Sequence, residues 1–285
     1  MSAPKMFAHH WIGGEWVDSD KRRESINPAT GETIGTYTEA GEAEATRAIA
    51  AALKAFRETD WRKNRPLRAK VLNYMADRFE ARADDLIEIL TLENGKVKPE
   101  AQFELSMVPS RLRFICRAGP RGFRACNGDL AGTLCDHAAR GGRRRRHHCA
   151  VELAGRAVRP IVAPALAAGC TTVGELPGFT AQTNARMCEV LSEVASLTDG
   201  GGEHLHRGRR RAARTMIDSP DVPVISFTGS SGTGRAIMAA CAKNMKRFGG
   251  ELGGKTPVLL FDDATWTKRC PKSRRRSPSS PDSSA

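Results

Sequence analysis

The chain has 285 residues, of which 45 are Lys or Arg and 32 are Asp or Glu, for a net charge of +13, and 40% of its residues are hydrophobic. No apolar run approaches the roughly 18 residues needed to cross a bilayer, which excludes a helical membrane-spanning protein, and residues 1–14 lack the apolar centre of a secretion signal. The eight cysteines are therefore expected to stay reduced in the cytoplasm rather than to form a disulfide scaffold.

Residues 1–113 read as hairpins followed by amphipathic helices. Trp11-Ile12-Gly13-Gly14-Glu15-Trp16-Val17 sets apolar residues on both sides of a Gly-Gly turn. Asn27-Pro28-Ala29-Thr30-Gly31-Glu32 is a second turn leading into Thr33–Thr38, so two short hairpins are predicted. From Glu42, the residues Ala45, Ile49, Leu53 and Phe56 recur at helical spacing. After Pro66 the pattern continues through Leu67, Val71, Met75, Phe79, Leu86 and Leu90 until Asn94-Gly95 stops it. Two amphipathic helices are predicted, with these apolar residues in the core.

Residues 1–110 are nearly balanced, with 16 basic and 18 acidic groups, whereas residues 111–160 hold 12 basic against 3 acidic. That stretch also has four of the eight cysteines, the run Arg143 to Arg146 and His147-His148, and no sustained apolar stripe, which sets 114–160 apart as an Arg/Cys/His-rich segment. Residues 199–214 (5 basic, 2 acidic) and 265–285 (6 basic, 1 acidic) repeat the excess. The tail 265–285 is Lys/Arg followed by Ser/Pro, which cannot bury enough apolar area to offset the entropy of ordering it, and both it and 114–160 are expected to be poorly ordered.

Over residues 161–264 helices alternate with short β-branched runs. Ala163–Ala168 reads as the end of a helix, Thr171–Val173 as a strand, and Thr180–Leu197 as a helix with Met187, Leu191 and Val194 inward. Val222–Phe227 reads as a strand, Gly232–Asn244 as a helix and Pro257–Phe261 as a further strand. Repeated strand–helix units imply an α/β fold, a parallel sheet covered by helices with ligands at the carboxyl ends of its strands.

Two motifs in this region could carry chemistry. Val224 to Arg235 runs from a strand through Gly229-Ser230-Ser231-Gly232-Thr233-Gly234 into a helix. Gly229 and Gly234 would let the backbone turn tightly and approach a ligand, while Ser230 and the first-turn N–H groups offer donors to phosphate oxygens. The same sequence also fits a plain strand-to-helix connection. In Gly249-Gly250-Glu251-Leu252-Gly253-Gly254, glycines on both sides leave Glu251 reachable by substrate, as a general base requires; a glycine-rich turn with a solvated Glu is the alternative.

In order and spacing, these motifs resemble the aldehyde dehydrogenase superfamily, in which Phe-Thr-Gly-Ser opens the cofactor loop and Glu-Leu-Gly-Gly-Lys carries the general base. Ile12, Gly14 and Trp16, Asn-Pro-Ala-Thr-Gly-Glu at 27–32, Leu-Glu-Asn-Gly-Lys at 92–96 and Ala-Leu-Ala-Ala-Gly at 165–169 agree with that family. The resemblance implies N-terminal hairpins and helices plus a Rossmann-like dinucleotide-binding region over 161–264, a homo-oligomer, and NAD(P)-dependent oxidation of a small-molecule aldehyde to an acid. In such enzymes a cysteine thiolate attacks the aldehyde, hydride passes to NAD or NADP, and the Glu activates the hydrolytic water. Carried over, Gly229, Ser230, Ser231, Gly232, Thr233 and Gly234 would hold the pyrophosphate, Glu251 would be the base, and Leu252 would lie near the nicotinamide.

The sequence departs from the family at several points. The family nucleophile stands roughly 30–40 residues beyond the Glu in a Gly-Gln-x-Cys context. No such motif occurs in the 285 residues, and Cys270 has the wrong neighbours. The catalytic domain is thus expected to be largely missing and the chain inactive as written. A Pro-Trp-Asn segment is replaced by Arg and His over 140–155, and the ribose-binding lysine aligns with Glu175. Cys135, His137, His147, His148 and Cys149 match no closed zinc motif, and no metal is assigned. The arginine runs could neutralise phosphates, but no aromatic lies between 124 and 160 to stack bases, so specific nucleic-acid binding is not expected. Motifs resume after each basic stretch with little change in length, as reading a GC-rich gene out of frame would produce.

Overall fold

The computed structural model describes residues 6–118, 149–152, 162–195, 202–206 and 211–254, together with Pro257, Leu259 and Phe261. The chain divides into two units, Met1–Leu252 and Gly253–Ala285. The described residues of the second carry neither helix nor strand.

The first unit begins with five strands: β1 (Met6–Ala8), β2 (His10–Ile12), β3 (Glu15–Val17), β4 (Arg22–Ile26) and β5 (Thr33–Thr38). Both expected hairpins are present. Gly13 and Gly14 have φ of 62° and 85°, which only glycine adopts readily, and the turn they make lets Trp11 pack on Trp16 with ring centroids 4.9 Å apart. At the second turn Asn27 Oδ1 accepts the Ala29 N–H at 2.9 Å and Gly31 has φ 75°.

Four helices follow: α1 (Glu42–Glu58), α2 (Arg65–Ala81), α3 (Ala83–Asn94) and α4 (Lys98–Ala118). Glu44 accepts the Gly41 N–H at the start of α1, and Asn64 Oδ1 accepts the Leu67 N–H at the start of α2, with Pro66 in its first turn. The single helix expected over 67–90 is broken at Arg82 (φ −104°, ψ 13°) into α2 and α3, and Gly95 in the left-handed conformation ends α3. The expectation that no apolar stripe continues beyond residue 111 is corrected by α4. Ala101, Leu105, Val108, Leu112 and Ile115 form one buried face, and the basic residues between them point away from it.

The remaining elements are β6 (Cys149–Glu152), α5 (Ala163–Ala167), β7 (Thr172–Leu176), α6 (Ala181–Ala195), β8 (Gly202–His206), α7 (Arg211–Asp218), β9 (Val224–Gly229), α8 (Ser231–Lys243) and β10 (Arg247–Leu252). A three-stranded sheet has the order β1-β5-β4, and a seven-stranded sheet the order β10-β9-β6-β7-β8-β2-β3. Neighbours from β10 through β8 are parallel, while β2 runs antiparallel to both β8 and β3. The chain steps from β6 through β7 to β8 in one direction and then returns to add β9 and β10 on the other side of β6. The order therefore reverses between β6 and β9, which opens a crevice at the carboxyl ends there.

The 114–160 stretch, expected to be poorly ordered, thus contributes a strand, and so does the basic stretch 199–214. Cys149–Glu152 pairs with β7 and β9, and Gly202–His206 pairs with β7 and β2. Ladder hydrogen bonds join main-chain groups that every non-proline residue carries, so an atypical sequence can still occupy a slot between preformed neighbours. Residues 119–148 and 265–285 lie outside the described residues. The strand expected at Pro257–Phe261 is also corrected: Pro257, Leu259 and Phe261 are not in strand, and among the described residues the last strand is β10. Among the described residues no helix is long and apolar enough to cross a membrane.

One core cluster joins α2, α3, α4 and α6 through Leu72, Met75, Phe79, Leu86, Leu112 and Val190; a second joins α1 and α7 to the large sheet through Ala48, Ile49, Met216 and Ile225. Glu93, buried near the end of α3, fastens the layers together. Its carboxylate accepts the Gln182 N–H and Thr183 N–H of α6, both at 2.8 Å, the Thr183 hydroxyl at 2.9 Å and the Ser25 hydroxyl of β4 at 2.5 Å. A second tie is Arg68, which donates to the carbonyls of Ala167 (3.0 Å) and Trp61 (2.6 Å), while Trp61 Nε1 donates to the Cys170 carbonyl at 2.9 Å.

Glu93→Ala leaves two main-chain N–H groups and two hydroxyls without their acceptor and is expected to cost about 3 kcal/mol. A fall in the urea midpoint with circular dichroism retained in water is the expected result. His10 is fully buried, and that burial pushes its pKa from 6.5 down to about 4 against the opposing pull of Glu44 and Asp18. The unfolded chain then binds a proton that the folded chain refuses. Stability is full above pH 6.5 and falls as the pH drops to about 4, by on the order of 3 kcal/mol. Urea midpoints measured across that range should slope less steeply for His10→Gln.

Candidate functional site

β9, the loop after it and α8 form the first half of the site. Ser230 caps α8: its Oγ accepts the Thr233 N–H at 3.2 Å and shares a 2.9 Å hydrogen bond with the Thr233 hydroxyl, while its carbonyl accepts the Gly234 N–H at 2.9 Å. The N–H groups of Ser231 and Gly232 precede the first intrahelical acceptor and remain as donors at the positive end of the helix dipole. No atom stands within 4 Å of where a Cβ on Gly232 would lie, so this face of the turn is open.

Gly229 and Gly234 serve a different purpose from the one the sequence suggests. Neither has a positive φ. A Cβ on Gly229 would stand 2.5 Å from the Phe227 ring, and a Cβ on Gly234 would occupy the place of the Leu252 side chain. Glycine is required at these two positions because other side chains of the chain pack onto them.

β10 supplies the second half. It lies beside β9 in parallel register, with Glu251 opposite Thr228 and Leu252 opposite Gly229. The two motifs, some twenty residues apart in sequence, therefore end side by side. Successive strand residues face opposite sides of a sheet, so Leu252 turns toward Gly234 of α8 and Glu251 toward the other face. Glu251 is solvent-exposed. The glycine-rich turn considered as an alternative is corrected, because the backbone from Gly249 to Leu252 is held in the ladder and only the Glu251 side chain is free to reorient.

The connection between α8 and β10 is fixed by contacts that no motif signals. Lys246 Nζ donates to the carbonyls of Met216, at 3.1 Å, and Ser219, at the carboxyl end of α7, and burial holds its pKa below the usual lysine value. Before it, Met245 adopts φ 50° and is almost fully exposed. Lys246 thus sets where β10 begins and, through β10, where Glu251 stands.

The remaining candidates fall elsewhere. Glu175 does not follow β7 but lies within it, 4% exposed, and Leu176 is the residue that ends the strand. Glu175, aligned with the family's ribose-binding lysine, is thus a side chain held inside the sheet rather than one that follows the strand. Cys270, Cys135, His137, His147 and His148 lie outside the described residues, and Cys149 enters β6. Burial raises the pKa values of Cys188 and Cys241, which disfavours the thiolate that a nucleophile needs.

The sequence model of the Aldehyde dehydrogenase family matches residues 16–126 and 158–273. The chain is 32% identical over 274 residues to 2-aminomuconic semialdehyde dehydrogenase of Danio rerio, covering 90% of this chain and 52% of that protein. It is likewise 32% identical over 269 residues to glutarate-semialdehyde dehydrogenase of Pseudomonas aeruginosa, covering 89% and 53%. Among solved structures, a betaine aldehyde dehydrogenase double mutant from Staphylococcus aureus in complex with NAD+ aligns with a TM-score of 0.80 at 25% identity, over 93% of this chain and 54% of that one. HpcC from Thermus thermophilus aligns with a TM-score of 0.76 at 26% identity, over 92% and 51%. The chain spans about half the length of the relatives it matches.

Two substitutions separate packing from capping at this site. Gly234→Ala must displace Leu252 and is expected to cost about 1–3 kcal/mol; Ser230→Ala removes the cap of α8 for about 1 kcal/mol. Chemical denaturation followed by circular dichroism should rank them in that order, with partial recovery in Gly234→Ala/Leu252→Ala.

Proposed function

Since the chain belongs to the aldehyde dehydrogenase family, we propose that it forms the dinucleotide-binding half of an NAD(P)-dependent oxidoreductase that converts a small-molecule aldehyde to a carboxylic acid. The packing of Leu252 onto Gly234 carries this reading, because it brings the glycine-rich loop and Glu251-Leu252 to one end of one pair of strands. The Ser231 and Gly232 N–H groups and the Ser230 hydroxyl would hold a pyrophosphate at the open start of α8. Gly229, Thr233 and Gly234 shape that turn, and Leu252 supplies an apolar surface beside it for the nicotinamide ring. When bound, NAD or NADP accepts the hydride from the aldehyde carbon. Glu251, exposed on a rigid backbone, would accept the proton of the hydrolytic water once a thiolate is supplied.

A thiolate must also reach the aldehyde, and no Gly-Gln-x-Cys motif occurs in the 285 residues. We therefore propose that this chain binds cofactor without turning over aldehyde by itself. A cytoplasmic setting suits Cys116, Cys188 and Cys241, which are thiols rather than disulfides. The basic stretches are read as incidental to function, with neither specific nucleic-acid binding nor a membrane partner.

Calorimetry with NAD should give binding weaker than micromolar. Gly232→Asp, which adds a carboxylate where the turn is open, should weaken it by at least about tenfold. Absorbance at 340 nm with NAD and a panel of aldehydes should stay flat; turnover that is lost in Glu251→Ala would overturn the inactive reading. The family match breaks between residues 126 and 158. In the coding DNA, a shifted frame over residues 114–160 is expected to read Pro-Trp-Asn, and a shift after residue 264 to read on to Gly-Gln-x-Cys; stop codons in those frames would show the basic stretches to be genuine.

A further inference from the structure

Arg68 is 5% exposed, yet the carbonyls of Ala167 and Trp61 engage only its Nε and Nη1. Its Nη2 has no acceptor among the described residues and is not sealed from solvent, so one edge of a buried guanidinium opens outward. Burial and the neighbouring Arg65 charge hold the Arg68 pKa below the usual arginine value, against the opposite pull of Cys170. Arg62, Lys63 and Arg65 are all exposed in the turn that leads into α2. Arg62 lies over the Phe56 ring, 5.6 Å from its centroid, and both Arg62 and Arg68 border Gly169: a Cβ there would stand 3.2 Å from the Arg62 Cα and 3.3 Å from Arg68 Nη1. Arg65 opens α2, whose first turn has no acidic residue, so its charge is opposed by the helix dipole as well as by Arg68. Among the described residues none of Arg62, Lys63 and Arg65 has a carboxylate partner, and Glu58 and Asp60, exposed close by in the chain, do not pair with them. Three guanidinium groups thus share one corner without a counter-charge. The corner precedes β7, at the amino ends of the parallel strands, and so lies at the opposite end of the sheet from the 229–234 loop.

We propose that this corner is a separate anion site, in which Arg62, Arg65 and the open edge of Arg68 bind the phosphate group of a small molecule. Phosphate is the chemistry that fits. The planar forks of several guanidinium groups meet its tetrahedral oxygens, and its two negative charges offset the repulsion among three cations better than a single carboxylate does. Arg68 and Trp61 are also the residues that tie α2 to the turn between α5 and β7, so an anion held there braces that junction and favours the folded chain. The site does not depend on the cofactor reading.

Urea midpoints of the full chain in increasing inorganic phosphate, with ionic strength held constant by sodium chloride, test this. A rise that saturates in the millimolar range is expected. Arg62→Ala and Arg65→Ala should each raise the half-saturating concentration by at least about fivefold. In chloride alone Arg65→Ala should be no less stable than the wild type, since it removes a repelled charge. Gly232→Asp, altered at the cofactor loop, should keep the wild-type response, with circular dichroism confirming that each variant folds. Glycerol phosphate in a parallel series separates the sources: a lower half-saturating concentration identifies a phosphomonoester as the ligand, an equal or higher one free phosphate. A midpoint that does not respond, or that climbs without saturating and to the same extent in every variant as an excluded salt produces, would overturn the proposal. So would a response that is lost in Gly232→Asp.

Discussion

The placement of the strand–helix layer that carries the candidate site depends on one buried carboxylate. Glu93 lies in the last turn of α3, yet every group it binds belongs to another element: two N–H groups at the start of α6, a hydroxyl on that helix and a hydroxyl on β4. A carboxylate withdrawn from water is costly unless each of its lone-pair directions is met, and here four donors converge on it. The negative charge also sits at the positive end of α6, where the helix dipole favours it. Because the match needs all three elements at once, it fixes the helical layer, the small sheet and the helix that follows β7 in a single arrangement. Gln182 adds a further constraint by donating from α6 to the Thr36 carbonyl of β5, with its amide set against Gly35.

The legible parts of the fold are those whose signal is local. Glycines with positive φ made the first hairpin visible, and Ser230 before a glycine-rich helix start marked the β9–α8 junction. Glu251 and the 229–234 loop were legible as separate motifs, but their meeting was not, because it arises from the parallel register of β9 and β10. β10 itself reads as a turn: two central glycines and two charges give it no β pattern, and the neighbouring strand supplies what its own propensity lacks. The reverse holds at Pro257–Phe261, where an apolar run looks like a strand but no ladder reaches the described residues. In α4 the stripe of Leu105, Val108, Leu112 and Ile115 was readable in principle, but the arginines between those positions drew the boundary too early.

Room for neighbouring side chains, rather than flexibility, is what glycine provides at the candidate site. Gly229 and Gly234 are places where Phe227 and Leu252 need space, while Gly232 leaves its face of the turn open. The loop is thereby rigid on its inner side and accessible on its outer side, the combination that allows main-chain donors to meet an anion without reorganising first. Lys246 extends this rigidity to the next strand by binding the carbonyls at the end of α7.

The position of β6 has a kinetic consequence. It stands at the centre of the five parallel strands of the large sheet, with β7 on one side and β9 on the other, and among the described residues the N-terminal hairpin joins the same sheet by pairing Trp11 with His204 of β8. The helical layer of α2 to α4 is built from contacts between neighbours in sequence and can assemble quickly, whereas the sheet must close loops spanning most of the chain before its central strand is held on both sides. Assembly of the sheet is then the slow step, and until β6 is seated the flanking β7 and β9 each present an open edge, the stage at which chains are most exposed to pairing with the wrong partner.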